Sequence, residues 1–177
     1  MILVYDTETT GLTLHPDAPM RKQPKMIEFG GVLLGRSGEI VEEYNVLVHP
    51  GEDVSPEITK ITGITNDMLV GAPTFMQVLP QLRRLFEQAT TVMAHNLPFD
   101  KAILRGELAR NDVLDFPWPS RELCTVGLYK DQWGRNPKML ELYEAVLGKP
   151  LAQTHRALDD VKALVEIIQA EELWLIE

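Results

Sequence analysis

Cysteine is nearly absent from this chain, since Cys124 is the only one among 177 residues. A lone thiol cannot form an internal disulfide, and no cysteine–histidine cluster has the spacing of a structural zinc site. Long apolar runs are missing as well, because none approaches the ~20 residues of a membrane helix. The apolar start Met1–Tyr5 is too short for a signal peptide and lacks its basic lead-in. We therefore expect a cytoplasmic protein that is not inserted in a membrane.

Basic side chains are outnumbered, with 17 lysines and arginines against 26 acidic residues and a net charge of −9. This balance argues against a protein that coats nucleic acid by charge alone. It is compatible with an enzyme whose carboxylates hold cations. The length and the 45% of hydrophobic residues suit one compact core. We expect a single domain over residues 1–177.

The order of apolar patterns predicts an α/β fold that begins with an antiparallel meander. Strands are predicted at Ile2–Tyr5, Met26–Leu34, Glu39–Val48 and Thr91–Ala94. Helical spacing is found over Phe75–Phe86, where Pro80 predicts a kink or a late start. Further helices are predicted from the N-cap Asn96 to Arg110, over Met139–Leu147, and from Arg156 to Leu173, with residues 115–119 (DFPWP) as a rigid connector.

The first acidic motif is residues 6–11 (DTETTG), directly after the first strand. Side chains at positions i and i+2 of a strand point to the same face, so Asp6 and Glu8 project together. Two adjacent carboxylates repel each other unless a cation lies between them, and a hard divalent cation prefers oxygen ligands. A solvated turn after a strand explains this pair equally well.

The second acidic motif places Asp100 in the first turn of the helix that follows residues 94–96 (AHN). The helix dipole favours an acid there, which is the simpler explanation. However, Ile103 and Leu104 lie three and four residues further on, so Asp100 is on the apolar side of the helix. We therefore expect its carboxylate to point inward.

The third acidic motif contains two adjacent aspartates in residues 155–160 (HRALDD). With Ala157 set at ~0° and ~100° per residue, the apolar side chains of this helix fill an arc from about 280° to about 100°. Asp160 falls near 300°, inside that arc, whereas Asp159 falls near 200°, on the solvent side. Burying an acid is costly unless it is paired or bound to metal, so Asp160 is the candidate ligand. His155 precedes the helix, and a lone histidine is more often structural than catalytic.

Together these motifs resemble those of the DnaQ-like exonucleases of the DEDDh group, within the ribonuclease H-like superfamily. The resemblance spans Ile2 to Ile168, and residues 62–65 (TGIT) are similar to the family's segment after the meander. It implies a five-stranded mixed sheet, with an antiparallel meander plus parallel strands, flanked by helices. It also implies a 3′–5′ exonuclease that hydrolyses terminal phosphodiesters of single-stranded nucleic acid to 5′-mononucleotides, with DNA favoured over RNA.

The resemblance further implies two divalent cations, Mg²⁺ or Mn²⁺, and a role for each motif. The catalytic and metal-binding acids would be Asp6, Glu8, Asp100 and Asp160, with His155 as the general base for the attacking water. The candidate substrate-binding residues are Thr9, Thr10, Leu12, Thr62, Ile64, Asn96 and Phe99. Ordinary turn formation or core packing is the alternative for each of these.

Partners and rival functions are also suggested by the sequence. Arg21, Lys22 and Lys25 lie in the long segment between Leu12 and Met26, which either contacts phosphates upstream of the cleaved bond or is a solvated loop.

The alternative function is a proofreading or accessory subunit that acts mainly through a polymerase or repair partner. The sequence also leaves open whether the protein forms a homodimer. A haloacid-dehalogenase-type phosphatase also begins with a strand and a D-x-D-x-T motif, but here the second acid is Glu8 and no Gly-Asp-Asp pattern follows.

Overall fold

The computed structural model describes residues 1–15, 17–152 and 154–176. Its centre is a five-stranded mixed sheet in the order β3-β2-β1-β4-β5. The strands are β1 (Ile2–Thr9), β2 (Met26–Leu34), β3 (Ile40–Leu47), β4 (Thr91–Ala94) and β5 (Arg121–Cys124). Strands β1 to β3 pair antiparallel, whereas β4 pairs parallel with β1 and with β5. The predicted fold class and meander are confirmed.

Seven α-helices accompany the sheet in the described part of the chain. They are α1 (Pro56–Thr62), α2 (Asn66–Leu69), α3 (Phe75–Gln88), α4 (Leu97–Arg110), α5 (Thr125–Trp133), α6 (Met139–Leu147) and α7 (Ala157–Ala170). Helix α3 begins at Phe75 and contains Pro80, so a late start is wrong. The sequence patterns did not predict α1, α2, β5 or α5, which are all short. None of the helices in these described ranges is long and apolar enough to cross a membrane.

Strand β1 is longer than the apolar run that predicts it, because it continues through the acidic motif to Thr9. Its burial alternates after Tyr5, as expected where one face of the strand leaves the core. The register with β2 shifts between Glu8 and Thr9, which is a β-bulge. Bulges are common beside active sites, where they redirect side chains.

Two apolar clusters cover the two faces of the sheet. The first lies beneath α3 and α4 and includes Leu3, Tyr5 and Phe86. The second lies beneath α6 and α7 and includes Val4 and Leu164. Alternate residues of β1 therefore enter different clusters, so Asp6 and Glu8, which continue the alternation of Ile2 and Val4, emerge on the side of the second cluster.

Helix α7 lies directly against Gly30 of β2. A Cβ atom at Gly30 would lie 2.4 Å from the backbone nitrogen of Leu158 and 2.8 Å from the carbonyl oxygen of Ala157. No side chain fits in that gap, so glycine is required for this contact. Gly30 is opposite Asp6 in the sheet, so the contact places the start of α7 beside the acidic end of β1.

Candidate metal centre and active site

Three carboxylates from β1 and α7 converge at the exit of the central strand. Asp6, Glu8 and Asp160 each offer an oxygen, and these atoms all lie within 4.8 Å of one another. Asp6 and Glu8 continue the face of β1 that carries Ile2 and Val4, the face on which α7 packs. Asp160 is 9% exposed and Asp159 is exposed, as the helical angles predict.

Asp100 reaches the same edge from the opposite face of the sheet. It is 2% exposed, which confirms its inward orientation. Its Oδ1 accepts hydrogen bonds from the backbone N–H of Thr7, at 3.0 Å, and from the Thr7 hydroxyl, at 2.8 Å. Thr7 lies between Asp6 and Glu8 in sequence but on the other face of β1. The structure therefore ties Asp100 to the acidic strand without including it in the three-carboxylate cluster.

Burial and mutual repulsion raise the proton affinity of these acids. Burial, followed by the charges of Asp100 and Glu8, raises the pKa of Asp6 well above its usual range. Burial, followed by the charge of Asp160, raises the pKa of Glu8 to about 8. Burial also raises the pKa of Asp100 to about 7, although the hydrogen bonds from Thr7 oppose that rise. Each group would ionise more readily if a cation offset the repulsion.

A divalent cation fits this donor set. All donors are carboxylate oxygens, which hard cations such as Mg²⁺ prefer, and the distances between them allow a shared ion. No other group of three or more possible ligands is found within the described ranges. The sequence prediction of an acidic metal centre therefore agrees with the geometry for Asp6, Glu8 and Asp160, with Asp100 adjacent.

His155 lies on the segment that leads into α7, five residues before Asp160. It is exposed, and its backbone has a positive φ of 51°. Such a conformation is uncommon for a residue other than glycine and often occurs at functional sites. The side chain lines a cavity of about 430 Å³ together with His95, Asn96 and Lys138. A cavity of this size is large enough for a small ligand.

The candidate substrate residues that follow the first acidic pair form the turn at the end of β1. Thr9 is buried, and its hydroxyl donates to the carbonyl of Gly11 at 2.6 Å. The Thr10 hydroxyl accepts a hydrogen bond from the backbone N–H of Lys25 at 2.9 Å. Leu12 is 80% exposed. Its side chain is therefore available to a ligand, whereas both threonines hold the backbone of the turn.

The next two candidates, Thr62 and Ile64, are buried around the C-terminus of α1. The Thr62 hydroxyl donates to the carbonyl of Ile58 and accepts from the N–H of Ile64. Ile64 is 0% exposed and packs with Ile27 and Val54. Core packing accounts for the Ile64 side chain in this structure, which leaves no surface of that side chain for a nucleotide.

Asn96 and Phe99 lie at the start of α4. Asn96 occupies the predicted N-cap position, but its side chain makes no capping bond and its φ is 65°. This left-handed backbone is well tolerated by asparagine. Phe99 is half-buried and packs against the first apolar cluster. The two residues support the turn that delivers Asp100 to the site.

Sequence reasoning missed Glu28 and Arg156, which lie directly behind the acidic cluster. Glu28 is 0% exposed and opposite Glu8 in the sheet. Arg156 binds both of its carboxylate oxygens, with Nη2 at 2.5 Å from Oε1 and Nε at 3.0 Å from Oε2. The available signal was an acid within the otherwise apolar strand of residues 26–34 (MIEFGGVLL).

The basic segment after Leu12 is folded against the body of the protein. The Lys25 ammonium group donates to the carbonyl of Pro50 and pairs with Glu52 at 3.2 Å. Arg21 and Lys22 belong to a short 3₁₀ turn and are exposed. Of the three basic residues for which phosphate contact and a solvated loop were the alternatives, Lys25 is engaged internally and the other two lie at the surface.

Comparison with known proteins places this chain within one family. The Exonuclease family model, RNase_T, matches residues 3–168. The DNA polymerase III subunit epsilon of Treponema pallidum (strain Nichols) is 31% identical over 170 residues, covering 92% of this chain and 72% of that protein. The DNA polymerase III PolC-type of Clostridium perfringens (strain 13 / Type A) is 34% identical over 174 residues, but this chain spans only 11% of its length.

Two solved structures share the fold. Exonuclease X in complex with 5′ overhanging duplex DNA has a TM-score of 0.66 and 26% identity, covering 97% of this chain and 93% of that chain. The nuclease domain of 3′hExo, a DEDDh family member bound to rAMP, has a TM-score of 0.77 and 22% identity, covering 97% of this chain and 90% of that chain. Since the family model matches nearly the whole chain, this protein belongs to the RNase_T exonuclease family, in agreement with the resemblance of its motifs to those of the DnaQ-like exonucleases.

Proposed function

We propose that this protein removes nucleotides from the 3′ end of single-stranded nucleic acid with the help of two divalent cations, Mg²⁺ or Mn²⁺. The observation that carries the proposal is the convergence of Asp6, Glu8 and Asp160 within 4.8 Å at the end of the central strand. Asp100, held beside them by Thr7, would complete the set of ligands. The bound cations would lower the pKa of the attacking water and stabilise the departing 3′ oxygen.

The chain's own groups would position the substrate and move the proton. His155 is exposed and lies on the segment that leads into α7 and Asp160, and its imidazole would accept the proton of the attacking water. Histidine is the side chain most often used as a general base. Leu12 would support the terminal base, and the turn formed by Thr9 and Thr10 would hold the backbone that contacts the terminal nucleotide.

DNA is the substrate that we favour over RNA. Exonuclease X was solved with 5′ overhanging duplex DNA, and its chain is 26% identical to this one over nearly the full length. The 3′hExo nuclease domain was solved with rAMP, so RNA is the alternative substrate. The products expected from either strand are 5′-mononucleotides.

A digestion of labelled strands tests the proposal directly. Single-stranded DNA and RNA of one sequence, each labelled at the 5′ end, are incubated with the protein and Mg²⁺ or Mn²⁺. We expect a ladder that shortens from the 3′ end, faster for DNA, and no digestion in EDTA. Intact strands with both metals, or release of the labelled 5′ nucleotide alone, would contradict the proposal.

A second candidate function is that of a proofreading subunit which acts within a polymerase assembly. The relationship to DNA polymerase III subunit epsilon, at 31% identity and 72% coverage of that protein, favours it. Such a subunit would excise a mismatched 3′ nucleotide faster than a paired one in the presence of the polymerase. Equal rates on both ends, with and without the polymerase, would favour the independent enzyme. We also propose that the chain forms a single domain, that the protein is cytoplasmic and that it forms a homodimer.

A further inference from the structure

Behind the acidic cluster, a fully buried carboxylate is bonded to the start of helix α7. Glu28 of β2 accepts the backbone N–H of Ala157 at 3.0 Å. Its carboxylate also accepts hydrogen bonds from the Arg156 guanidinium. Nε lies 3.2 Å from Oε1 and 3.0 Å from Oε2, and Nη2 lies 2.5 Å from Oε1. Asn45 of β3 adds a fourth donor, its Nδ2, at 3.1 Å. The buried charge is therefore both paired and hydrogen-bonded.

The bonded segment is the one that carries the candidate catalytic groups. Arg156 follows His155 and precedes the first residue of α7, and its carbonyl accepts the N–H of Asp160 at 3.0 Å. Fixing Arg156 and Ala157 therefore fixes the helical turn that ends at Asp160. Gly30, two residues after Glu28, leaves the space in which this turn lies directly on β2.

We infer that Glu28 is a positioning residue for the metal centre: through Arg156 and the N–H of Ala157 it holds the first turn of α7 so that Asp160 meets Asp6 and Glu8. This inference rests on the proposed function. Residues that hydrogen-bond to metal ligands commonly fix the geometry of those ligands, and their loss reduces metal affinity or activity about 10- to 100-fold. A buried ion pair is, in contrast, a weak source of stability compared with apolar residues of similar size.

Charge supports the same role. Glu28 is among the groups that raise the pKa of Glu8, whereas Arg156 lowers it. Arg156 therefore offsets part of the repulsion that Glu28 adds at Glu8. A lone acid at position 28 would add to the repulsion among the ligands, and this is why both partners are replaced together in the test.

The test separates positioning from stability by replacing both partners with unbranched apolar side chains, as Glu28→Met with Arg156→Met. We expect the melting temperature of the metal-free protein to fall only modestly, because the ion pair itself adds little stability while the N–H of Ala157 loses its acceptor. Hydrogen exchange at the Ala157 and Asp160 amides should become faster in the absence of metal. Mn²⁺ affinity, measured by titration calorimetry, should fall at least about 10-fold, with a matching fall in exonuclease rate.

The matched control is the ion pair between Lys162 of the same helix and Glu43 of β3, at 2.7 Å. Replacing both of these by Met should leave exchange and Mn²⁺ affinity unchanged. If the Glu28→Met, Arg156→Met protein does not fold, Arg156→Lys keeps the charge but cannot bind both oxygens from two nitrogens. We expect a smaller loss of Mn²⁺ affinity in that variant.

Two outcomes overturn the inference. One is wild-type exchange and Mn²⁺ affinity in the double variant. The other, where the double variant does not fold, is wild-type Mn²⁺ affinity in Arg156→Lys. Failure of the proposed function is distinct, because the wild-type protein itself would then show no Mn²⁺ binding or no digestion of strands.

Discussion

Thr7 binds Asp100 twice, with its backbone N–H at 3.0 Å and its hydroxyl at 2.8 Å, and both bonds end on Oδ1. The two residues are 93 positions apart in sequence. Their contact ties helix α4 to β1 on the face opposite that of Asp6 and Glu8, because Thr7 points away from those two acids. It also favours the ionised form of a carboxylate that is almost completely buried.

Removing the Thr7 hydroxyl should therefore weaken metal binding at neutral pH. The hydroxyl bond lowers the pKa of Asp100, which burial raises to about 7, so Thr7→Val should raise that pKa further. Mn²⁺ affinity at about pH 7 should fall and recover at about pH 9 as Asp100 ionises. Titration calorimetry at both pH values measures this, with Thr91→Val, a buried threonine of β4, as the control. An equal loss at both pH values would point to distortion instead.

The stability of the metal-free protein should fall as the pH rises. The unfolded chain releases the proton of Glu8 near its ordinary pKa of 4.5, whereas the folded protein keeps it until about pH 8. The stabilising contribution of the protonated form is thus fully present below the unfolded pKa and is lost by the folded pKa. Melting curves in EDTA should show this loss, and Mn²⁺ should raise the melting temperature more at about pH 8.5 than at about pH 5.5. A melting temperature in EDTA that rises over this range would contradict the expectation.

Asp160→Asn should abolish most activity, while Asp159→Asn should not. Asp160 belongs to the three-carboxylate cluster, whereas Asp159 is exposed and accepts a hydrogen bond from the Thr154 hydroxyl. We expect Asp160→Asn to reduce the rate by more than about 100-fold, beyond the range for partners behind a ligand. Rates and Mn²⁺ affinities of the two variants are measured side by side. Similar losses in both would exclude the assignment of Asp160 as the ligand.

The His155→Asn variant should have a lower exonuclease rate but an unchanged affinity for Mn²⁺. Asparagine tolerates the positive φ of 51° at this position, so the backbone should be retained. If His155 is the general base, the rate should fall about 10²- to 10⁴-fold while Mn²⁺ affinity stays the same. His49→Asn, a change at an exposed histidine outside the cluster, is the control. A near wild-type rate in His155→Asn would remove the proposed role.

Arg21 and Lys22 should contribute to the salt dependence of strand binding more than Lys25. Lys25 already pairs with Glu52, whereas the other two side chains are exposed. If both exposed residues contact phosphates, Arg21→Ala with Lys22→Ala should reduce the slope of log affinity against log salt by about 1.4. Binding of single-stranded DNA in Ca²⁺ or EDTA measures this, with the exposed Lys60→Ala as the control. Unchanged affinity and slope would identify the segment as a solvated loop.

Much of the fold could be predicted from local patterns. Strands β2 and β4 and helix α6 occupy the predicted residues. Runs of largely apolar residues mark the two strands, and Gly148 with Pro150 marks the end of the helix. Strand β5 and helices α1, α2 and α5 were missed, because each of them buries at most one residue. Elements with so few buried residues show too little apolar periodicity to be distinguished from loops.

The sequence by itself determined which acids face the centre of the protein. Strand alternation joined Asp6 to Glu8, and helical angles separated Asp160 from Asp159, because both depend only on local backbone geometry. Only the tertiary structure decided how these acids are held. The contact of Thr7 with Asp100, and that of Glu28 with the start of α7, join residues about 90 to 130 positions apart. Such contacts depend on how strands and helices pack, which no local pattern contains.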